Sequence, residues 1–513
     1  MIRDLLHDVP GKDRADVCVV GAGAAGIVMA LELARHGKHV TLLDGGGKLV
    51  EQISQRPYES VCAGLPHRGL HDGRVRALGG TTTKWGGQIL ELDALDFEYR
   101  PWVSESGWPF PKSELLPYYK RALVLEGVER SLLEDEAVWN KLGMCTPRLP
   151  PLHIYLSRWC PEPDFAKLHR NTLENGRIDV WLHANAVGLR LEGAQARGLR
   201  CRTQTGVEAN FSAAEYVFCL GAIESSRFFL QPREGALPWN TSGLLGRHFQ
   251  DHIDCTAATV EPLPGNCFHD NFDAIFLGGH KYNPKVKLAA AVQRNEGLLQ
   301  VGATFFSGSE GDDPMPAIKS TVKSALRGKL GEVSGGAALR LFGQGPALLR
   351  HGYRYAVQHR AYHAPTSIMK MRVHCEQEPA GASTVALSDD RDELGLLRTK
   401  LSWSISGQEL RTLRRFVEIA ELALRHVARL VPDAGLMCQD GERLPHCEDS
   451  YHHMGGMRMN GSEHCGVVDP HLRLHGTKNV YVCSSAVFPT SGFSNPTHTL
   501  IALAVRLAEH LGR

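Results

Sequence analysis

An α/β fold is what this sequence predicts, and three observations predict it. Residues 16–20 (DVCVV) read as a buried parallel strand, residues 21–26 (GAGAAG) as a tight glycine turn, and residues 27–36 as the helix that follows. Residues 39–44 form a second strand with an acid at its end. Far along the chain, residues 216–220 (YVFCL) are a third strand of the same apolar kind, ending at Gly221, as a return to the same sheet would be.

The first of these units is a dinucleotide-binding, Rossmann-like finger. Gly21 permits the turn, Gly23 lets a pyrophosphate approach the backbone past Ala25, and Gly26 lets helix and strand pack closely. The phosphates would meet the positive end of the helix. Asp44, closing the second strand, is placed to accept from ribose hydroxyls. Gly37 ends the helix. The apolar run 17–34 is broken by glycines, which argues for strand, turn and helix rather than a membrane span. The finger alone does not choose between FAD and NAD.

Composition narrows the class. Fifty-seven basic residues against 56 acidic ones give no global attraction to nucleic acid, and 43% apolar with 22% charged residues is ordinary for a globular protein. The 13 cysteines are scattered, with no C-x-x-C pair and no zinc spacing, so reduced thiols, no metal site and a cytoplasmic location are expected. Residues 1–16 are charged and lack the apolar core of a signal peptide.

Residues 76–87 (RALGGTTTKWGG) are not expected to form a regular element. Two glycine pairs around three threonines and a tryptophan offer a row of backbone N–H donors and room for a flat ring. Residues 107–111 (GWPFP) and 116–119 (LPYY) follow. Near the C-terminus, residues 451–459 (YHHMGGMRM) and 491–497 (SGFSNPT) place a histidine and an amide on two glycine-punctuated loops. An alcohol-oxidising flavoenzyme needs such a base, because its cofactor takes hydride and another group must take the hydroxyl proton.

With these segments, and with residues 222–227 (AIESSR) and 480–490 (VYVCSSAVFPT), the chain resembles the glucose-methanol-choline (GMC) oxidoreductases, most closely the bacterial branch similar to pyranose and glycoside oxidases. The resemblance covers both ends and much of the middle and is loosest over residues 260–370. It implies a discontinuous Rossmann-like FAD-binding domain plus an α+β substrate-binding domain with an antiparallel sheet. It carries the base to His452 and its partner to Asn495. FAD contacts fall on Gly21, Gly23, Ala25, Gly26 and Asp44 in the finger, and on Arg76, Gly79, Gly80, Thr83, Trp85, Gly86 and Gly87 in the threonine loop. Ala186, Gly221, Asn495, Pro496 and Thr497 complete the set. Some family members attach FAD through a histidine just before the tryptophan of the threonine loop. Lys84 stands there in this chain, so FAD is expected to be held non-covalently.

The FAD-binding domain is expected from residues 1–100, 178–254 and 445–513, the last carrying the catalytic loops. Residues 101–177 and 255–444 would form the cap and substrate-binding parts. A hairpin is expected from strands 384–387 and 401–405 around a charged turn at 389–393, then an amphipathic helix over 410–427. Pro496 suits the first turn of a closing helix over 497–510. Asn495, just before it, has two open readings, substrate contact or helix cap. His453 and His498 are rivals to His452 as base. Residues 317–363 hold eight Lys/Arg against one acid, Glu332, which reads either as a solvated helical cap or as a basic lid for an anionic partner or membrane surface.

The expected reaction is oxidation of a secondary hydroxyl of a sugar or glycoside to a ketone, with hydride passing to flavin N5 and the proton to His452. Oxygen or a quinone-type compound is the expected electron acceptor. NAD(P) is not, because no second glycine finger follows a strand. The alternatives are oxidation of an aliphatic, polyol or aromatic alcohol, and a non-catalytic flavin-bearing surface-binding protein.

Overall fold

The computed structural model describes residues 1–11, 14–128, 132–235, 237–307, 345–363, 368–438 and 447–513. Two sheets position the site. The first is six-stranded and wholly parallel, in the order Ile2–Asp4, Ile178–Leu182, Val40–Leu43, Ala15–Val20, Ala213–Phe218, Val480–Val482. Its central strands are mostly buried, as strands covered on both faces are. The helix Ala24–Arg35 packs on this sheet, and the C-terminal helix Pro496–Gly512 lies against that helix. The sheet draws on three separated stretches of chain, as a doubly wound nucleotide fold assembled late in the sequence must.

The second sheet is antiparallel, and its strand pattern shows why it forms. In Met369–Cys375 the odd positions Met369, Met371, Val373 and Cys375 are buried and the even ones are Lys370, Arg372 and His374. Val301–Ser307 and His280–Leu288 repeat the alternation. Successive side chains point to opposite faces, so one face is apolar and the other polar. The apolar face packs on Leu413, Phe416, Val417 and Ala420 of the helix Gln408–Leu424. The strand order is Ala428–Pro432, Ile253–Pro262, Met369–Cys375, Val301–Ser307, His280–Leu288, Leu152–Trp159, Gln88–Ile89, with Ile275–Leu277 and Cys447–Asp449 attached at the side. The buried Arg100–Glu376 pair, bidentate at 2.7 and 2.6 Å, ties the segment after residue 97 to the end of this sheet.

Several local expectations need correction. The threonine loop contains one regular piece, a 3-10 turn over Gly80–Thr83. The first hairpin strand runs on as Thr384–Arg391, and its partner begins earlier, at Leu397–Trp403. The reversal moves to residues 392–396 because Asp392 Oδ1 accepts the N–H groups of Leu394 and Leu396, each at 2.9 Å. The charged residues 389–391 remain strand, with their side chains in solvent. The amphipathic helix stops at Leu424, since Ala428–Pro432 must leave it to pair with Ile253–Pro262.

Of the basic residues in 317–363, Lys319, Lys323, Arg327, Lys329 and Arg340 lie outside the described residues, as does Glu332. Of the other three, only Arg350 faces solvent. Arg354, on the helix Gly345–Ala356, pairs with Asp273 at 2.9 Å and Asp270 at 3.3 Å. Arg360 is 2% exposed, donates to the Asp270 carbonyl at 2.6 Å and lies over the Trp139 ring. Arg354 and Arg360 therefore tie this segment to residues 268–273 and are not part of an exposed basic face. No helix among the described residues is long and apolar enough to cross a membrane.

Candidate active site

One cavity of about 1100 Å³ runs from the glycine finger to the two C-terminal loops, between the parallel sheet and the polar face of the antiparallel one. At the finger end, Gly21 has φ +100°, and a Cβ there would lie 2.6 Å from the Cys219 carbonyl oxygen. A Cβ on Gly26 would lie 1.8 Å from the Gly21 carbonyl oxygen, so no side chain fits where helix meets turn. A Cβ on Gly23 would meet nothing within 4 Å, which leaves its backbone open to the cavity. Asp44 is buried at the strand end. Its two oxygens accept from Ala22 N at 2.9 Å and Gly46 N at 2.8 Å, and lone pairs remain for a ribose hydroxyl. It therefore also holds the finger, a second role that the sequence alone does not show. Burial raises its pKa, against the two backbone hydrogen bonds.

Of the expected cofactor contacts, Gly21, Gly23, Ala25, Asp44, Arg76, Gly80, Trp85, Gly86, Ala186, Gly221, Asn495, Pro496 and Thr497 line the cavity. Gly26, Gly79, Thr83 and Gly87 do not. Gly26 acts from behind, in helix–turn packing. Gly79 donates its N–H to Ala22 O at 2.9 Å, which docks the threonine loop on the finger. The Thr83 hydroxyl turns back to Gly80 O at 2.9 Å, while Thr81 and Thr82 line the space instead. A Cβ on Gly87 would face Pro163 and Cys160 at 3.1–3.2 Å. Arg76 donates to Asn185 Oδ1 at 2.5 Å.

At the other end, the side chains of His452 and Asn495 meet, with Asn495 Nδ2 2.9 Å from His452 Nε2. Asn495 is the N-cap residue of the closing helix, and its side chain makes no capping bond. His452 Nδ1 lies 2.9 Å from His252 Nδ1. The loop holding His452 is tied down by Asp251, whose Oδ1 accepts from His252 N at 2.7 Å, His452 N at 2.9 Å and Ser450 N at 3.3 Å. Burial opposes the charge on Asp251, but the contact with His67 and the neighbouring His453 and His452 rings together outweigh it and hold the carboxyl below the usual range. For His452 burial dominates, and with the His252 ring beside it the pKa falls to about 3, so the ring is neutral.

The rival histidines have other partners. His498 Nδ1 is 2.8 Å from Glu126 Oε2 and its ring stacks on Tyr119. His453 Nε2 faces a buried cluster with His67 Nε2 and Asp251 Oδ2. That cluster has the residue types of a metal site, but His67 Nδ1 accepts the Leu70 N–H at 3.0 Å. The His67 proton therefore sits on Nε2, 3.2 Å from Asp251 Oδ2, and a protonated nitrogen is not a ligand.

The opposite wall of the cavity was not identified from sequence. It carries Asn283, Lys285, Thr304, Arg372, His374 and Asp254 from four strands of the antiparallel sheet. Their signal is the alternation in residues 282–288 and 369–375, which marks one face as polar without saying what it faces. His252 and Asp251 carried no signal beyond being buried polar neighbours in sequence.

This fold and this cavity define an FAD-dependent oxidoreductase: residues 16–237 match the family model described as FAD dependent oxidoreductase. Residues 379–504, which hold both catalytic-loop candidates, match that of GMC oxidoreductase, so the chain is similar to that family at its C-terminal part. Paromamine 6'-oxidase of Streptomyces fradiae is 23% identical over 98% of this chain and 92% of its own. C-glycoside 3-oxidase of Microbacterium trichothecenolyticum is 29% identical over 29% of this chain and 28% of its own. Among solved structures, pyridoxine 4-oxidase from Mesorbium loti superposes with a TM-score of 0.58 at 16% identity, covering 97% of this chain and 99% of that one. The residues fit FAD: an open finger, an acid at the strand end and a long cavity leading to His452.

Proposed function

We propose that this protein oxidises a secondary hydroxyl of a sugar or glycoside to a ketone, with His452 as the base. The observation that carries the reading is the polar wall facing His452 and Asn495. Asn283, Thr304, Lys285 and His374 offer donors and acceptors in several directions, as a ring bearing many hydroxyls requires. An apolar wall would instead have favoured an aliphatic or aromatic alcohol. Similarity to proteins named as oxidases of paromamine and of C-glycosides supports the same class.

FAD, when bound, supplies the acceptor for the hydride that leaves the carbinol carbon. The chain does the rest. Asn495 donates through Nδ2 and His452 accepts at Nε2, so a substrate hydroxyl placed between them is both fixed and deprotonated. With the Asn495 amide donating to Nε2, the His452 proton sits on Nδ1 and is donated to His252 Nδ1. That tautomer puts the lone pair on Nε2, where the Asn495 amide holds it until a substrate hydroxyl takes its place. Asp251 keeps the loop in place.

The test is reduction of the holoprotein without oxygen by a panel of monosaccharides, glycosides, polyols and aromatic alcohols. Bleaching of the flavin band by sugars, with a keto-sugar as product, is expected. Bleaching only by non-sugar alcohols would move the substrate class. No bleaching by any alcohol would return the non-catalytic reading.

A further inference from the structure

The polar wall carries several charges, and one of them has no ion-pair partner among the described residues. Arg372, Thr304 and Lys285 form a single row across three adjacent strands, with Arg372 paired to Thr304 and Thr304 to Lys285. Arg372 is matched by Asp254, which takes its Nε at 2.7 Å and a further contact from Nη2. Lys287, two residues from Lys285 on the same face, is matched by Asp93 at 2.5 and 2.7 Å. Lys281 lies 4.2 Å over the Trp159 ring. Lys285 is 5% exposed, and its hydrogen-bond partner among the described residues is the neutral Gln88 Oε1 at 3.3 Å. A buried ammonium without an anion is costly, and its presence on a cavity wall asks for an anion from outside the chain.

We propose that Lys285 is the recognition point for a carboxylate carried by the substrate, so that the sugar or glycoside taken by this site is an acidic one. The inference rests on the sugar reading above and names the substrate class within it. Thr304 faces Lys285 across the pair and is held by Asn283 Nδ2 at 2.9 Å, which leaves its hydroxyl free to donate to the same carboxylate. A monoanion suits this set. A phosphate dianion would call on Arg372 as well, and Asp254 already occupies that guanidinium in bidentate fashion.

The ionisable groups around Lys285 are of both signs. Asp254 and Arg372 offset one another, Glu448 lies 3.9 Å from Arg372, and His374 and His452 are neutral because burial drives both pKa values down. Tyr155, paired with Lys285 from the next strand, has its hydroxyl pKa pushed up by burial and stays neutral. Lys84 also lines the cavity. Protonated Lys285 therefore stands on this wall as a positive charge with no ion-pair partner among the described residues. Burial lowers the Lys285 pKa to about 8, with Asp254 acting against it and Arg372 with it. Recognition is thus present at neutral pH and fades as pH rises past that value, with a bound carboxylate moving the loss upward.

The experiment titrates the holoprotein, without oxygen, with matched pairs: methyl glucoside against methyl glucuronide, and the galactose counterparts. The readout is the half-saturating concentration for perturbation or bleaching of the flavin band. We expect the uronide to act at a concentration about tenfold or more lower than the glycoside, as an added charge-assisted hydrogen bond gives. The advantage should shrink at alkaline pH, vanish in Lys285→Met and persist in Lys285→Arg, each variant first matched for flavin content. Equal half-saturation for the two members, or an advantage that survives in Lys285→Met, overturns the inference. If the glycoside bleaches the flavin and the uronide has no advantage, the sugar reading stands and only this inference falls. If no sugar changes the band, the sugar reading falls and this inference with it.

Discussion

His452 can act as a base only while its Nε2 carries a lone pair, and that depends on one proton shared between two histidines. Only one of the two facing Nδ1 atoms, 2.9 Å apart, can hold it. With the proton on His452, Nε2 is basic; with it on His252, Nε2 becomes a donor and the site is idle. His452→Ala should lower turnover on the order of 10²–10⁴-fold with FAD retained. His252→Phe keeps a ring in place and removes the acceptor. It should lower kcat by roughly tenfold, a smaller loss because the base itself remains. The sign of the pH effect follows from burial, which lowers the His452 pKa to about 3. The acid limb of kcat/KM should therefore lie well below the ordinary histidine value of about 6.5. Measured pH profiles and flavin content check all three; undiminished turnover in His452→Ala would move the role to another group, and a limb near the ordinary value would show that burial does not set the pKa of the base. His452 and Asn495 were legible because glycine-rich loops hold them in a recognisable spacing. His252 and Lys285 were not, because a histidine beside an aspartate and a lysine in an alternating strand are common and acquire meaning only from what they face.

The closing helix settles a question its own sequence leaves open. An asparagine before a proline at the helix start has the residue types of a cap, yet the Asn495 side chain makes no capping bond and reaches His452 instead. An N-cap asparagine replaced by alanine ordinarily costs about 1 kcal/mol. Asn495→Ala should therefore cost no more than a few tenths of a kcal/mol in stability, a range set by lost polar contacts away from a cap. Its turnover should fall severalfold or more. Denaturant unfolding beside kinetics separates the two, and a full capping penalty with unimpaired turnover would restore the cap reading. Elsewhere, elements defined by local pattern were readable: the finger strand and helix, the helix Gln408–Leu424 and the helix Pro496–Gly512. The hairpin turn was misplaced because a side chain, Asp392, decides where the chain reverses. The antiparallel sheet was implied by the resemblance, but its pairing was not readable because Ile253–Pro262 pairs with strands at 369–375, 428–432 and 447–449, and no local window contains such partners.

At the scale of the whole molecule, the cavity exists because two sheets of different character face each other. The parallel sheet presents backbone at the ends of its strands, and the antiparallel sheet presents side chains from one face. The first suits a cofactor common to many chains and the second a substrate particular to this one. How FAD is retained is a consequence of the same division. Lys84, on the cavity wall beside Trp85, stands where some family members carry the linking histidine, and an alkylammonium cannot form that bond. The histidines that do line the cavity, His374, His452 and His453, belong to the polar sheet and the catalytic loops. FAD should therefore be held by the finger, the threonine loop and the helix ends alone. Acid precipitation should leave a colourless pellet and FAD in the supernatant. Protein stripped of FAD should gain stability in proportion to the logarithm of added FAD, about 2.7 kcal/mol at a hundredfold excess over Kd. Thermal unfolding across an FAD titration measures this. Yellow colour that stays with the acid pellet would show that the flavin is anchored by a bond that Lys84 does not make, and a Tm indifferent to FAD added to the stripped protein would show that these groups do not hold it.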